Sequence, residues 1–193
     1  MKNLRKLMAL LLALVMCLSL ASFALADEEA EDAEIPELNW EDVAEEVEAS
    51  IPGEFVVFDE IYAAMYVPDI MLPQELTEED VEAGYIAYFA TEEEDAAIAV
   101  MYVDGEGMDL EAYFDFLAEE DGITDLEVVI INGIVYVSYV IPETDCMCLA
   151  TDTEMGYILE FTFSPYSDED YSQLAALVAM SIQPVEEEDV EAA

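Results

Sequence analysis

The sequence predicts an α+β domain, a mainly antiparallel sheet of about 6–8 strands covered by helices on its faces. Three observations carry this. Short runs rich in Val, Ile and Tyr recur between residues 54 and 163, separated by turn residues. Ile134 to Ile141 is apolar at both odd and even positions, as is Ala96 to Val103. A sheet with one wet face would alternate apolar and polar residues, so this sheet is covered on both faces at its centre. Two capped stretches, 109–120 and 168–180, place apolar residues at helical spacing and supply the covers.

Taken in order, residues 1–26 read as a signal peptide. Lys2, Arg5 and Lys6 precede the apolar run Leu7 to Leu20, and Ala24-Leu25-Ala26 gives small residues for cleavage after Ala26. A lipoprotein anchor at Cys17 would need a small residue where Met16 stands. Sequencing the exported chain by mass spectrometry will find Asp27 first; a chain starting at Met1 or Cys17 would overturn this reading. Residues 27–50 form an acidic spacer with one short helix, capped by Asn39 with Asp42, and with Trp40, Val43 and Val47 on one face. That face docks on the domain or is offered to a partner groove.

Pro52-Gly53 opens a single α+β domain, 51–184. Glu54 to Phe58 and Tyr62 to Val67 are strands, and Thr77 caps a helix over Leu76 to Val81. Tyr85 to Ala90 and Ala96 to Val103 are strands. Asp109 caps a helix with the stripe Leu110, Tyr113, Phe114 and Leu117, which Gly122 closes. Leu126 to Ile131 and Ile134 to Ile141 flank Asn132-Gly133, a strong hairpin signal at the buried centre of the sheet. Cys146 to Thr151 and Tyr157 to Phe163 complete the strands. The last is expected near an edge or with one wet face, because Glu160 and Thr162 oppose Leu159, Phe161 and Phe163. Ser167, with Asp170, caps the final helix. Residues 185–193 are a disordered acidic tail.

The charge distribution bounds function. All three basic residues precede Ala26, all 48 Asp and Glu follow it, and the chain has no His. No side-chain salt bridge can form within 27–193. Yet 55% of the whole chain is apolar, so a core is expected rather than an acidic disordered chain. Nucleic acid and anionic membrane surfaces are excluded as partners, since both are gripped by Lys and Arg. Such a charge keeps the chain soluble and monomeric. Ser–His, Cys–His and Schiff-base chemistries are closed. Asp152-Thr153-Glu154 shares only its first two residues with the aspartic-protease triplet.

Three constellations remain. Cys146 and Cys148 share a strand face, either as a soft-metal pair or as small buried groups. Asp104, Glu106 and Asp109 sit in a glycine-bearing acidic loop that would hold calcium weakly or serve as a turn, with Asp109 as a helix cap. Tyr62, Tyr66, Tyr85, Tyr88, Tyr102, Tyr136 and Tyr139 lie on or beside strands, as core residues or as the floor of a groove.

The order of elements resembles the PsbP-like fold, shared by an extrinsic protein of photosystem II and a Ran-binding protein. The strand pair ending at Tyr66-Val67-Pro68, two more strands, the 109–120 helix, the Asn132-Gly133 meander and a capped helix running into Ser181-Ile182 carry the resemblance from Pro52 to Pro184. It implies an antiparallel sheet between helices, serving as a binding or accessory module without catalysis. The His and Lys positions some members use have no counterpart here, so no site carries over. Signal and composition also look like the small acidic exported proteins of Gram-positive anaerobes. The expected function is an exported, non-enzymatic module without a cofactor, binding an extracellular protein, peptide or neutral ligand. One alternative is a structural or low-affinity divalent-cation-binding protein with weakly bound Ca2+. The other, a carboxylate-based hydrolase, needs two acids facing one cleft.

Overall fold

A computed structural model describes residues 35, 37–105, 107–153 and 156–185. Among them are eleven strands and four helices. The strands are β1 (Glu37–Leu38), β2 (Gly53–Phe58), β3 (Ala63–Pro68), β4 (Leu72–Pro73), β5 (Tyr85–Ala90), β6 (Ala97–Val103), β7 (Thr124–Ile131), β8 (Ile134–Ile141), β9 (Cys146–Asp152), β10 (Ile158–Ser164) and β11 (Gln183–Pro184). The helices are α1 (Ala44–Ser50), α2 (Glu78–Glu82), α3 (Leu110–Glu119) and α4 (Glu169–Met180). The fold is α+β, as the sequence predicts.

Eight strands form one sheet in the order β1-β7-β8-β9-β10-β6-β5-β4, antiparallel except where β1 lies parallel to β7. β2, β3 and β11 form a separate three-stranded sheet. Both faces of the large sheet are covered, because its strands are apolar on both sides. One face, with Val100, Val129, Tyr136, Leu149, Phe161 and Phe163, packs against α4 and the small sheet. The opposite face, with Val137, Tyr139, Cys148, Ala150 and Ile158, packs against Tyr113 and Leu117 of α3. The two helices predicted as covers therefore lie on opposite faces, and a second sheet completes one of them.

Several expectations change. β10 is central, flanked by β9 and β6, with Glu160 only 8% exposed. Its polar face is dry because Glu160 accepts hydrogen bonds from the Tyr139 and Thr162 hydroxyls. A buried carboxylate is tolerable when its oxygens are partnered. The Asn132-Gly133 hairpin, conversely, sits toward the side of the sheet, with only the two-residue β1 outside β7. Face pattern reports what lies above and below a strand and says nothing of its lateral position.

The caps shift as well. Asp168, not Ser167, caps α4, accepting from Tyr171 N–H at 2.9 Å. Ser167 is held instead by Asp145, through its N–H at 2.7 Å and its hydroxyl at 2.6 Å. Asn39 makes no side-chain cap and precedes a 3-10 turn, Trp40–Asp42. α3 ends at Glu119 with Glu120 already extended, so Gly122 belongs to the following turn. Thr77 and Asp80 form the reciprocal capping box of α2, and Asp109 caps α3 by accepting from Ala112 N–H at 2.9 Å.

More of the acidic lead is docked than one amphipathic turn. β1 extends the large sheet, and Trp40, Val43 and Val47 are buried against Tyr66, Leu177 and Met180. Trp40 meets Phe55 edge-on at 5.8 Å and Tyr66 at 5.5 Å between ring centres. The stripe that a partner groove would have needed is filled by the chain's own surface. The signal peptide with its Ala26 junction, and residues 186–193 of the tail, lie outside the described residues.

Candidate functional site

The two sheets part beside the start of β3, and the candidate site lies in the gap. β3 is entered through a 3-10 turn, Asp59–Ile61, followed by Tyr62 in the left-handed region at φ 50°. β11 closes the same edge, pairing Pro184 with Ala63, and the Val185 N–H donates to Tyr62 O at 2.9 Å. Opposite this edge lie β6, β8, β9 and β10. The gap between is a cavity of about 400 Å3. Its walls are mainly aromatic and aliphatic: Tyr62, Tyr102, Tyr136 and Phe161, with Ile134 and Leu159. That volume lies within the range of small-molecule sites, which are commonly apolar with a few polar groups for orientation.

Each wall has a local cause. Tyr136 on β8 and Phe161 on β10 are fixed by burial and meet edge-on at 6.5 Å. Burial pushes the Tyr136 phenol well above its ordinary range, so it stays neutral. Tyr102 is set by its backbone. Its N–H donates to Gly84 O at 2.8 Å, and Gly84, at φ 98°, lies so close that an added Cβ would stand 2.4 Å from Tyr102 O. Only glycine fits there. The Tyr102 ring lies 5.8 Å from that of Tyr157. Burial, and then the nearby Glu60 carboxylate, push the Tyr102 phenol upward. Glu60 and Asp152, both exposed, form an acidic rim.

Of the seven tyrosines singled out by sequence, three line this cleft. Tyr66 and Tyr139 are core, at 4% and 2% exposed. Tyr85 and Tyr88 border a second hollow of about 480 Å3, walled by loop residues such as Gln74 and Glu75 and by Asp80, whose carboxylate is engaged by Thr77.

A buried polar cluster lies on the α3 face. Tyr139 O–H donates to Glu160, and Tyr113 and Tyr139 hydroxyls stand 3.2 Å apart. Burial pushes the Tyr113 phenol up to about 12. Cys148 joins the cluster through Thr162 at 3.8 Å. Burial first, and then the charge of Glu160, push its thiol upward, which keeps it protonated. A metal-binding or nucleophilic cysteine needs the reverse. Cys146 shares the face, half-buried, with its thiol donating to Thr144 O at 3.3 Å. Both are free thiols, Cys148 buried and Cys146 half-buried. The cluster ties β8, β10 and α3 together across the core.

The acidic loop divides. Asp109 is engaged as the α3 cap, Glu106 lies outside the described residues, and Asp104 precedes the α3 loop. Among the described residues no group of three Asp, Glu or Cys is placed to hold a metal ion. Sequence reasoning missed three features: Glu160 as a buried acceptor, Glu127 as a buried carboxylate with one unpartnered oxygen, and the cleft itself. For Glu160 the available signal was a single acid among the apolar residues of its strand; Glu127 shares its strand with Asp125 and had no such signal. The third had none, since its walls come from six segments that meet only on folding.

No protein-family model matches this chain, and no curated protein matches it.

Proposed function

We propose that the protein is an exported, non-catalytic binding module whose ligand occupies the cleft between the two sheets. The observation that carries this reading is the cleft itself, an aromatic pocket of about 400 Å3 between strands of the two sheets. The residue types agree with it. After Ala26 the chain has no His, Lys or Arg, so the usual nucleophile–base pairs cannot be assembled. Glu60 and Asp152 are two acids on one cleft, the minimum for a carboxylate hydrolase, but both stand exposed on the rim. A catalytic acid is normally raised by an apolar pocket. The order of elements, which resembles the PsbP-like fold, points toward an accessory module as well.

The test is a titration of the protein with 1-hexanol, an apolar probe, followed by aromatic-ring NMR. Shifts are expected at Tyr62, Tyr102, Tyr136 and Phe161 and to saturate. Ala63→Leu, which fills the cleft from β3, will abolish them with the fold retained by circular dichroism. Shifts that persist in Ala63→Leu, or that spread evenly over all aromatic rings, would reject the cleft as the site.

A further inference from the structure

Resting on the cleft reading above, we infer that the ligand is a small organic ammonium ion, a cationic head on a hydrocarbon body. Three observations converge on this class. The deep part of the cleft is apolar and aromatic, with Tyr136, Leu159 and Phe161 at 2%, 6% and 0% exposed, so it takes a hydrocarbon body. The mouth is different in kind. Tyr62 and Tyr102 face it, and Glu60 stands close enough to Tyr102 to act on its phenol. Asp152 supplies a second carboxylate on the rim. An ammonium held at a tyrosine face with a carboxylate beside it gains both the ring quadrupole and the ion pair, and both strengthen as water is displaced.

The third observation is the absence of any competing side-chain cation. A rim carboxylate can elsewhere be partnered by a neighbouring lysine or arginine. Here no basic side chain follows Lys6, so only a ligand or a dissolved ion can bring the cation to Glu60 and Asp152. The same fact excludes an anionic ligand, which would enter a field of like charge without a counter-charge. A neutral ligand would fill the apolar depth and leave the acidic rim without a role. Complementarity of shape below and charge above selects the ammonium.

The experiment compares three probes with one hydrocarbon tail, by calorimetry at 150 mM NaCl: hexylammonium, 1-hexanol and hexanoate. Hexylammonium is expected to bind at least tenfold more tightly than hexanol, and hexanoate more weakly than either. Glu60→Gln and Asp152→Asn will each reduce the hexylammonium advantage threefold or more, with hexanol affinity changed less than twofold. That unchanged hexanol affinity also shows that the variants fold. Glu46→Gln, an exposed acid on α1, is the control for general attraction to a polyanion and will leave the ratio unchanged. Equal binding of hexylammonium and hexanol would overturn the ammonium class while leaving the cleft in place. No binding of any probe would overturn the cleft as well. A loss in Glu46→Gln equal to that in Glu60→Gln would assign the attraction to net charge and reject a specific site.

Discussion

Asn132→Gly will lower the stability of the fold by about 2–4 kcal/mol, although it leaves the turn itself acceptable. Asn132 and Gly133 have φ 48° and 81°, both in the left-handed region, as a two-residue hairpin of the mirror-image type requires. Glycine adopts that conformation freely, so the substitution isolates the side chain. The side chain is a three-way tie. Its Oδ1 accepts from Trp40 N–H at 2.8 Å, and its Nδ2 donates to Met180 O at 2.9 Å and Ile182 O at 2.7 Å. It thereby joins the docked lead, the β7–β8 hairpin and the end of α4. Losing three partly buried hydrogen bonds and stranding their backbone partners sets the magnitude. For a domain of this size it corresponds to a fall in Tm of about 5–12 °C.

Asn132→Asp will be worse than Asn132→Gly near neutral pH, because a carboxylate oxygen would then face two carbonyl oxygens. Urea unfolding followed by fluorescence of Trp40, the single tryptophan, reads the loss at the tie itself. A midpoint for Asn132→Gly that yields less than about 0.5 kcal/mol would show that the turn alone matters.

The second large effect is electrostatic. Residues 27–193 carry 48 acidic side chains and no basic one. Their mutual repulsion is strongest in the compact state. Moving from 10 mM to 1 M NaCl shortens the screening length from about 30 Å to about 3 Å. Tm is expected to rise by more than about 10 °C, equivalent to several kcal/mol. Millimolar calcium at low salt will act in the same direction. Coincident melting curves in the three conditions would show that the carboxylates are already neutralised or far enough apart not to interact.

Glu127 adds a pH dependence of defined sign. It lies on the same side of β7 as the buried Val129, is 7% exposed, and has one buried oxygen without a partner. Burial, reinforced by the charge of Asp125, pushes its carboxyl from 4.5 to about 7; Tyr166, the other titratable group facing it, is neutral throughout that range. A carboxyl raised in the folded state favours folding while protonated. Its penalty is absent below pH 4.5, grows as pH rises through about 7, and is complete above that. Glu127→Gln will therefore stabilise the protein at pH 8 by at most about 3 kcal/mol and leave it unchanged at pH 4. A difference between the two proteins that does not vary with pH would show that Glu127 keeps an ordinary acidity.

Much of the fold is legible in the residues because the covers of a strand are written on its two faces. Ile134 to Ile141 has apolar residues on both sides, and helices do lie above and below it. Asp109 and Thr77 are caps as their spacing predicts. Where reading failed, two local solutions competed for one residue. Ser167 has the form of a helix cap, but Asp145, 22 positions earlier in the chain, holds its hydroxyl. Glu160 has the form of a wet face, but Tyr139 meets it from a strand that is not its hydrogen-bonded neighbour. The candidate site was the least legible part. Its tyrosines are recognisable as a group, and alternation puts Tyr136 and Tyr139 on opposite faces of one strand, yet nothing local says which of the two faces carries the cleft.

The sequence by itself determined the composition of the problem: a covered, mainly antiparallel sheet, a polyanion after residue 26, and the absence of every basic side chain that conventional catalysis or anion binding would use. These follow from periodicity and residue type, which act over a few positions or over the whole chain. Tertiary structure alone decided the lateral order of the strands, the splitting off of β2, β3 and β11, the burial of Glu160 and Glu127, and the cleft. Each of these depends on which distant segments meet. That choice is made by the packing of whole faces, so no single stretch of the chain carries it.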